Sequence, residues 1–256
     1  MSDYIEEIEG FKVVLDPFNG ITIDKNSFPK DKQSFDKNLE KLLFISKQKN
    51  RRLVWITIDI NKSEFIPIAV KYGFEFHTCE NDYVFMVKKL VENAIIPTAA
   101  NHTLGVGVVV INDNEELLVI KERISKAGYK LPGGHIDNGE LISAAAVRET
   151  FEETGIEVQF ESIISLGHFY PHQFSQSNLY VLCKATPLSY EIKIKDTYEI
   201  QDAKWVNVYE YLEDENVLEY NKVIVSYVLN SKGLYLKDLE SFKNIPKSYE
   251  LFFPIK

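Results

Sequence analysis

The sequence predicts an α/β protein built in two parts, on three observations. Runs rich in β-branched residues, such as Leu53-Val-Trp-Ile-Thr-Ile-Asp-Ile60, read as strands. Stretches with apolar residues three and four apart, such as Phe35, Leu39, Leu42, Leu43 and Ile45, read as helices that alternate with those strands. A glycine turn, Pro132-Gly133-Gly134, feeds a loop and then a helix expected from about Leu141 to Thr154, with Gly155 as its left-handed cap.

In the first part, Phe11–Leu15 and Ile21–Ile23 read as strands around Asp16-Pro-Phe-Asn-Gly20, where Gly20 can take positive φ. Ser34 is the expected cap of a helix running to about Lys49. After the Leu53–Ile60 strand, Ser63 is expected to cap a short helix through Tyr72, with Pro67 in its first turn and Gly73 ending it. Phe74–His77 and Tyr83–Val87 read as two further strands. The order β-β-α-β-α-β-β over residues 10–90 makes a compact α/β unit. Asn93–His102, containing Pro97, is a linker.

In the second part, Leu104–Asn112 is an apolar strand and Glu116–Lys121 its expected hairpin partner. Gly105 and Gly107 inside the strand point to close backbone approach, by a ligand or by packing. Tyr129–Leu131, Val158–Gly167, Asn178–Thr186 and Asp202–Val206 read as strands, and Val208–Glu213 and Val217–Leu229 as helices. The expected boundaries are 1–95 for the first domain, 96–230 for the second and 231–256 for a tail. Phe252-Phe253-Pro254 in that tail carries no readable motif.

Composition narrows the function. The 256 residues are 45% hydrophobic and 26% charged, as in ordinary globular proteins, and the net charge is −9. That charge argues against non-specific nucleic-acid binding and against an anionic membrane surface. Cys79 and Cys183 lie far apart in sequence, which fits a reducing, cytoplasmic compartment rather than a disulfide framework. MSDYIEEIEG has no apolar core of a secretory signal, and no apolar run reaches the length that spans a bilayer.

The chemistry concentrates on the helix after the glycine turn. Glu149, Glu152 and Glu153 share one face near its C-terminus. Like charges repel there, and the helix end adds partial negative charge. A hard divalent cation relieves both, and Mg²⁺ is held by a few carboxylates together with substrate phosphates.

Gly134, Glu140, Arg148, Glu149, Glu152, Glu153, Gly155 and Ile156 match the pattern G-x5-E-x7-R-E-U-x-E-E-x-G-U, where U is bulky and aliphatic. On these residues the stretch resembles the Nudix box, with Thr150 at the first U as its one departure. The resemblance implies an α/β/α Nudix sandwich with a mixed sheet. It also implies Mg²⁺- or Mn²⁺-dependent hydrolysis of a nucleoside diphosphate linked to another moiety. On that reading Glu149 and Glu153 are the principal metal ligands, and Glu152 is a third ligand or the base. Gly133, Glu140, Arg148 and Gly155 are structural, Arg148 pairing with Glu140. Nudix enzymes often supply a further carboxylate from the region of Glu199, the candidate here, against an exposed loop glutamate. Arg123 and Lys130, with Lys121, flank the turn and are candidates for phosphate oxygens, with Gly134 in the same substrate-binding set. Phe169 and Tyr170, in Gly167-His-Phe-Tyr-Pro-His-Gln-Phe174, are candidates to stack on a base or nicotinamide ring, while Phe174 reads as core under a loop.

The first part resembles half of a GNAT acetyltransferase but has no glycine between Lys49 and Phe65, where those enzymes bind pyrophosphate, so it reads as non-catalytic. It is also similar to the domain preceding the Nudix fold in a plant and animal group, on Trp55, Ile66-Pro67, Gly73-Phe74, His77, Asn101-His102 and Gly105-Val106-Gly107-Val108. That group implies ADP-ribose or NADH as substrate, AMP as product, and a homodimer by analogy. Coenzyme A, dinucleoside polyphosphates and nucleoside triphosphates are the alternative substrates. A nucleotide sensor without turnover is the alternative class.

Overall fold

The computed structural model describes residues 5–125, 128–242 and 247–255. It divides into two compact units, Met1–Ala100 and Asn101–Lys256.

The first unit holds β1 (Ile5–Ile8), β2 (Phe11–Leu15), β3 (Ile21–Ile23), α1 (Lys32–Gln48), β4 (Leu53–Asp59), α2 (Ile66–Lys71), β5 (Glu75–Cys79) and β6 (Tyr83–Lys89). Its sheet runs β1-β2-β3-β4-β6-β5. Among the described strands of this unit only β3 and β4 are parallel, and α1 is the crossover such a pair requires. Alternation along the strands sends Phe11, Val13, Ile21, Ile23, Val54 and Ile56 into one core with Phe35, Leu39 and Leu42 of α1. Phe35 stacks on Phe65 with ring centroids 4.3 Å apart. Each such fully buried side chain contributes about 1.5–3 kcal/mol of transfer free energy. The opposite face carries a smaller cluster in which Trp55 stacks on Phe85 and meets His77 edge-on.

Three local features of this unit differ from expectation. The cap of α1 is Asp31, whose carboxylate accepts from Ser34 N at 2.8 Å, so Ser34 lies inside the first turn. In the β2–β3 turn the left-handed residue is Asn19, at φ 62°, because Asp16 accepts from the backbone of Phe18 and Gly20 and fixes the loop. The Ser63 side chain makes no cap bond among the described residues: residues 60–65 form a 3-10 segment and α2 starts at Ile66. Pro67 sets that start, since its missing N–H is tolerated only in a first turn. β1 was unanticipated. Its Glu6-Glu7 pair masks a strand that has only β2 as a neighbour.

The second unit holds β7 (His102–Val110), β8 (Glu116–Glu122), α3 (Ile142–Thr154), β9 (Val158–Phe169) and β10 (Ser177–Pro187). β11 (Ile200–Asn207), α4 (Val208–Glu213), α5 (Glu219–Asn230), β12 (Leu234–Leu236) and β13 (Phe252–Pro254) follow. A mixed sheet runs β13-β12-β9-β10-β7, and β11 with β8 forms a second, two-stranded sheet. The strands lie between helices. Val106, Val108, Val110, Val181 and Cys183 pack toward Ala145 and Ala146 of α3. Val109 and Leu182 face Val208, Val225 and Val228 of α4 and α5.

The expected β7–β8 hairpin reduces to one bridge, Ile111 to Leu117. Asn112 Oδ1 accepts from Asn114 N and Glu116 N, and Glu115 turns left-handed at φ 59°. β7 instead pairs in parallel with β10, and β8 pairs with β11. Tyr129–Leu131 contributes only the bridge from Lys130 to Ile120. The tail is not separate from this sheet: β12 pairs with both β9 and β13. Residues 243–246 and 256 of the tail lie outside the described residues. Among the described residues no helix is long and apolar enough to cross a membrane.

Candidate active site

Both ends of α3 are tied down by distant chain. Its first residue-pair of free N–H groups is capped from the tail: Glu250 accepts from Ile142 N at 2.7 Å and from Ser143 N at 3.1 Å. A carboxylate there also complements the helix dipole. At the other end Gly155 turns left-handed at φ 74°, and a Cβ would run into Lys193 O. Two carbonyls of the last turn are answered by one segment. Thr154 O accepts from Lys193 N, and Glu152 O from Lys195 N and Asp196 N. That segment leads into Glu199, whose N–H, like that of Tyr198, donates to Asp196 Oδ1. The loop bearing Glu199 is thereby fixed to the end of the carboxylate helix.

Thr150 fits the buried face because its hydroxyl donates to Ala146 O at 2.8 Å, the back-bond open to Thr inside a helix. The opposite face is a charge cluster centred on Arg148. Its guanidinium donates to both oxygens of Glu140 at 2.8 Å, to Glu149 at 2.9 Å, to Glu152 at 3.1 Å and to His135 O at 3.0 Å. Bidentate pairing with Glu140 holds the loop before α3 against the helix and pulls the Glu140 pKa down. Gly133 takes φ 147°, where a Cβ would strike Val106 O, and its N–H donates to Glu153 at 2.7 Å. Gly134 lies directly against the Glu149 carboxylate.

Glu153 is the most buried of the three helix carboxylates, 4% exposed. Burial pushes its pKa up to about 8; Glu149 and Glu199 push the same way, while Gly133 N–H and Lys130 oppose. Burial raises Glu149 as well, against the pull of Arg148. Glu149, Glu153 and Glu199 thus share one electrostatic neighbourhood with Lys130. Glu149, Glu152 and Glu153 each hydrogen-bond through one oxygen and leave the other without a partner among the described residues. Hard oxygen donors whose mutual repulsion favours the neutral form suit a divalent cation. In this arrangement no three carboxylate, histidine or cysteine side chains among the described residues converge on one point.

The candidate substrate residues are less gathered. Lys130 pairs with Glu122, and Arg123 Nε donates to Thr197 O at 2.8 Å, so both cations anchor protein groups. Phe169 packs edge-on against Tyr220 with ring centroids 5.9 Å apart. Tyr170 is exposed, and Phe174, expected in a small core, is 96% exposed. The room beside Gly105 and Gly107 is filled by Tyr180, so packing accounts for both glycines. Three contributors were missed in the sequence. Glu250 gave no signal across 108 residues. Asp196 sits in Asp-Thr-Tyr-Glu, a recognisable Asx-turn pattern. Tyr180 was hidden because its place opposite Gly105 depends on the parallel register.

Two family profiles match, one described as Nudix hydrolase domain over residues 11–90 and one as NUDIX domain over residues 101–227. The sequence is 31% identical over 248 residues to Nudix hydrolase 2 of Arabidopsis thaliana, covering 95% of this chain and 84% of that one. The chain belongs to the Nudix hydrolase family. Nudix hydrolase 8 of Arabidopsis thaliana is 34% identical, with 83% of this chain and 59% of that protein covered. Nucleoside diphosphate-linked moiety X motif 6 of Xenopus laevis is 34% identical, with 75% and 91% covered. The chain therefore spans less than two thirds of Nudix hydrolase 8 and most of the other two. The Nudix box, Gly134–Ile156, falls inside the second matched segment.

Proposed function

We propose that this chain hydrolyses the pyrophosphate bond of nucleoside diphosphate derivatives, ADP-ribose or NADH first among them, and releases AMP. The observation that carries the reading is the buried Glu153 carboxylate, held by Gly133 N–H beside Glu149 and Glu199. Mg²⁺ or Mn²⁺, when bound, supplies neutralisation of the diphosphate oxygens and a lowered pKa for attacking water. Glu149 and Glu153 are the residues that would hold it, with Glu152 as a third ligand or as the base. Glu199, in the loop docked on the helix end, is the candidate to take the proton from water as it attacks phosphorus. The other product keeps the second phosphate.

Arg148 holds the carboxylates in register, with Glu140 as its main partner. Phe169, backed by Tyr220, supports stacking on the base or nicotinamide ring. The free thiols of Cys79 and Cys183 fit a reducing compartment, the cytoplasm on this reading.

Product chromatography on purified protein tests the substrate. ADP-ribose, NADH, coenzyme A and nucleoside triphosphates are incubated with and without Mg²⁺. AMP from ADP-ribose or NADH, only with metal, is expected. 3′,5′-ADP as the main product would move the assignment to coenzyme A. Nucleotide binding without turnover of any of them would replace hydrolysis with sensing.

A further inference from the structure

The first unit carries a surface cleft of about 420 Å³ lined by Lys47, Arg51 and Arg52 with the amides of Asn19 and Asn50, over Leu90. Among the described residues no carboxylate lines it, in a chain whose net charge is −9. Three segments meet there: the β2–β3 turn, the end of α1 and the start of β4. Asn19 Nδ2 donates to Asn50 O at 2.9 Å, and Arg52 N donates to Asn19 O at 2.9 Å. Both asparagines are left-handed, at φ 62° and 56°, a conformation held by these cross-links.

The cations are incompletely answered. Arg51 donates through one terminal nitrogen to Asn19 Oδ1 at 2.9 Å and lies 3.5 Å through the other from Glu6. Its Nε is buried with no partner among the described residues, which is costly for a cationic donor. Glu6 also pairs with Lys49. Arg52 spends one terminal nitrogen on Asn93. Lys47 makes no ion pair among the described residues. The helix dipole accounts for Lys47 and Lys49 at the end of α1, but not for two arginines beyond it.

We propose that this cleft binds the phosphate group of a small phosphorylated molecule. Three cations around one cleft match a dianion with several accepting oxygens better than a single carboxylate, and arginine forks suit phosphate geometry. The cleft belongs to the first unit and does not rest on the hydrolase reading.

Backbone-amide NMR of the full chain, free of divalent cations and titrated with inorganic phosphate, tests it. Saturable shifts are expected at Asn19, Asn50, Arg51 and Arg52, with a Kd of roughly 1 mM. Chloride at matched ionic strength should not reproduce them. The double variant Lys47→Gln/Arg52→Gln, which leaves the Arg51–Asn19 and Arg51–Glu6 contacts in place, should weaken binding about tenfold or more. Shifts confined to residues 101–256, or binding by the double variant equal to wild type, would overturn the proposal. AMP titrated in parallel separates the sources: tighter binding than phosphate at the same amides indicates a nucleotide ligand, equal binding the phosphate alone, and either supports the site.

Discussion

Gly133 N–H donates to Glu153 Oε2 at 2.7 Å, joining the glycine turn to the most buried carboxylate of the Nudix helix. One backbone donor is a weak answer to a carboxylate removed from water. On the proposed function the group would exchange its proton for a cation, and several outcomes depend on that.

The first is pH dependence. The folded pKa of Glu153 is raised to about 8, above the ordinary value near about 4.3. Its contribution to the stability of the metal-free protein is thus fully present below about pH 4.3 and is lost as pH rises to about 8, at about 1.4 kcal/mol per pH unit. Chemical denaturation of metal-free protein across this window should show the decline, and Glu153→Gln should flatten it. Mg²⁺ affinity should run the opposite way, rising through about pH 8 with proton release measurable by calorimetry in two buffers.

Gly133→Ala tests the turn. At φ 147° an alanine is strained, and its Cβ would meet Val106 O, which belongs to rigid β7 backbone. A loss of about 1–3 kcal/mol in urea denaturation is expected, with a larger loss of activity because the Glu153 donor moves with the turn. Wild-type stability and rate together would contradict the geometry.

Glu250→Ala tests the tail. It removes both acceptors from the first N–H groups of α3, at an expected cost of about 0.5–2 kcal/mol. Glu250→Gln, which keeps one acceptor oxygen, should recover part of it. Because the same helix bears Glu149, Glu152 and Glu153, the Mg²⁺ concentration for half-maximal rate should also rise. Unchanged denaturation midpoints would show that the cap is solvent-replaceable.

Much of this was legible because it is local. The helix at Ile142–Thr154, its Gly155 cap and the Glu149/Glu152/Glu153 face follow from spacing within one segment. The strand runs at Phe11, Leu53 and Val158 carry enough β-branched or aromatic content to identify themselves. What failed was pairing and long-range capping. β8 pairs along its length with β11 and meets its sequence neighbour β7 at the Ile111–Leu117 bridge, and no period in either strand encodes that choice. Ser34 and Asp31 are both good caps by type, and only the observed bond decides between them. Glu250 reads as an ordinary tail glutamate until the β12–β13 pairing brings it to the start of α3.

On the proposed function, the carboxylates of α3 form a metal-dependent pyrophosphohydrolase site. Its most direct test is the rate of AMP release from ADP-ribose as a function of Mg²⁺, for wild type and for Glu153→Gln, with folding checked by circular dichroism. A saturable Mg²⁺ dependence is expected in wild type. In the folded variant kcat should fall roughly 10²–10⁴-fold, with little recovery at high Mg²⁺. Turnover by Glu153→Gln near the wild-type rate at saturating Mg²⁺ would contradict it.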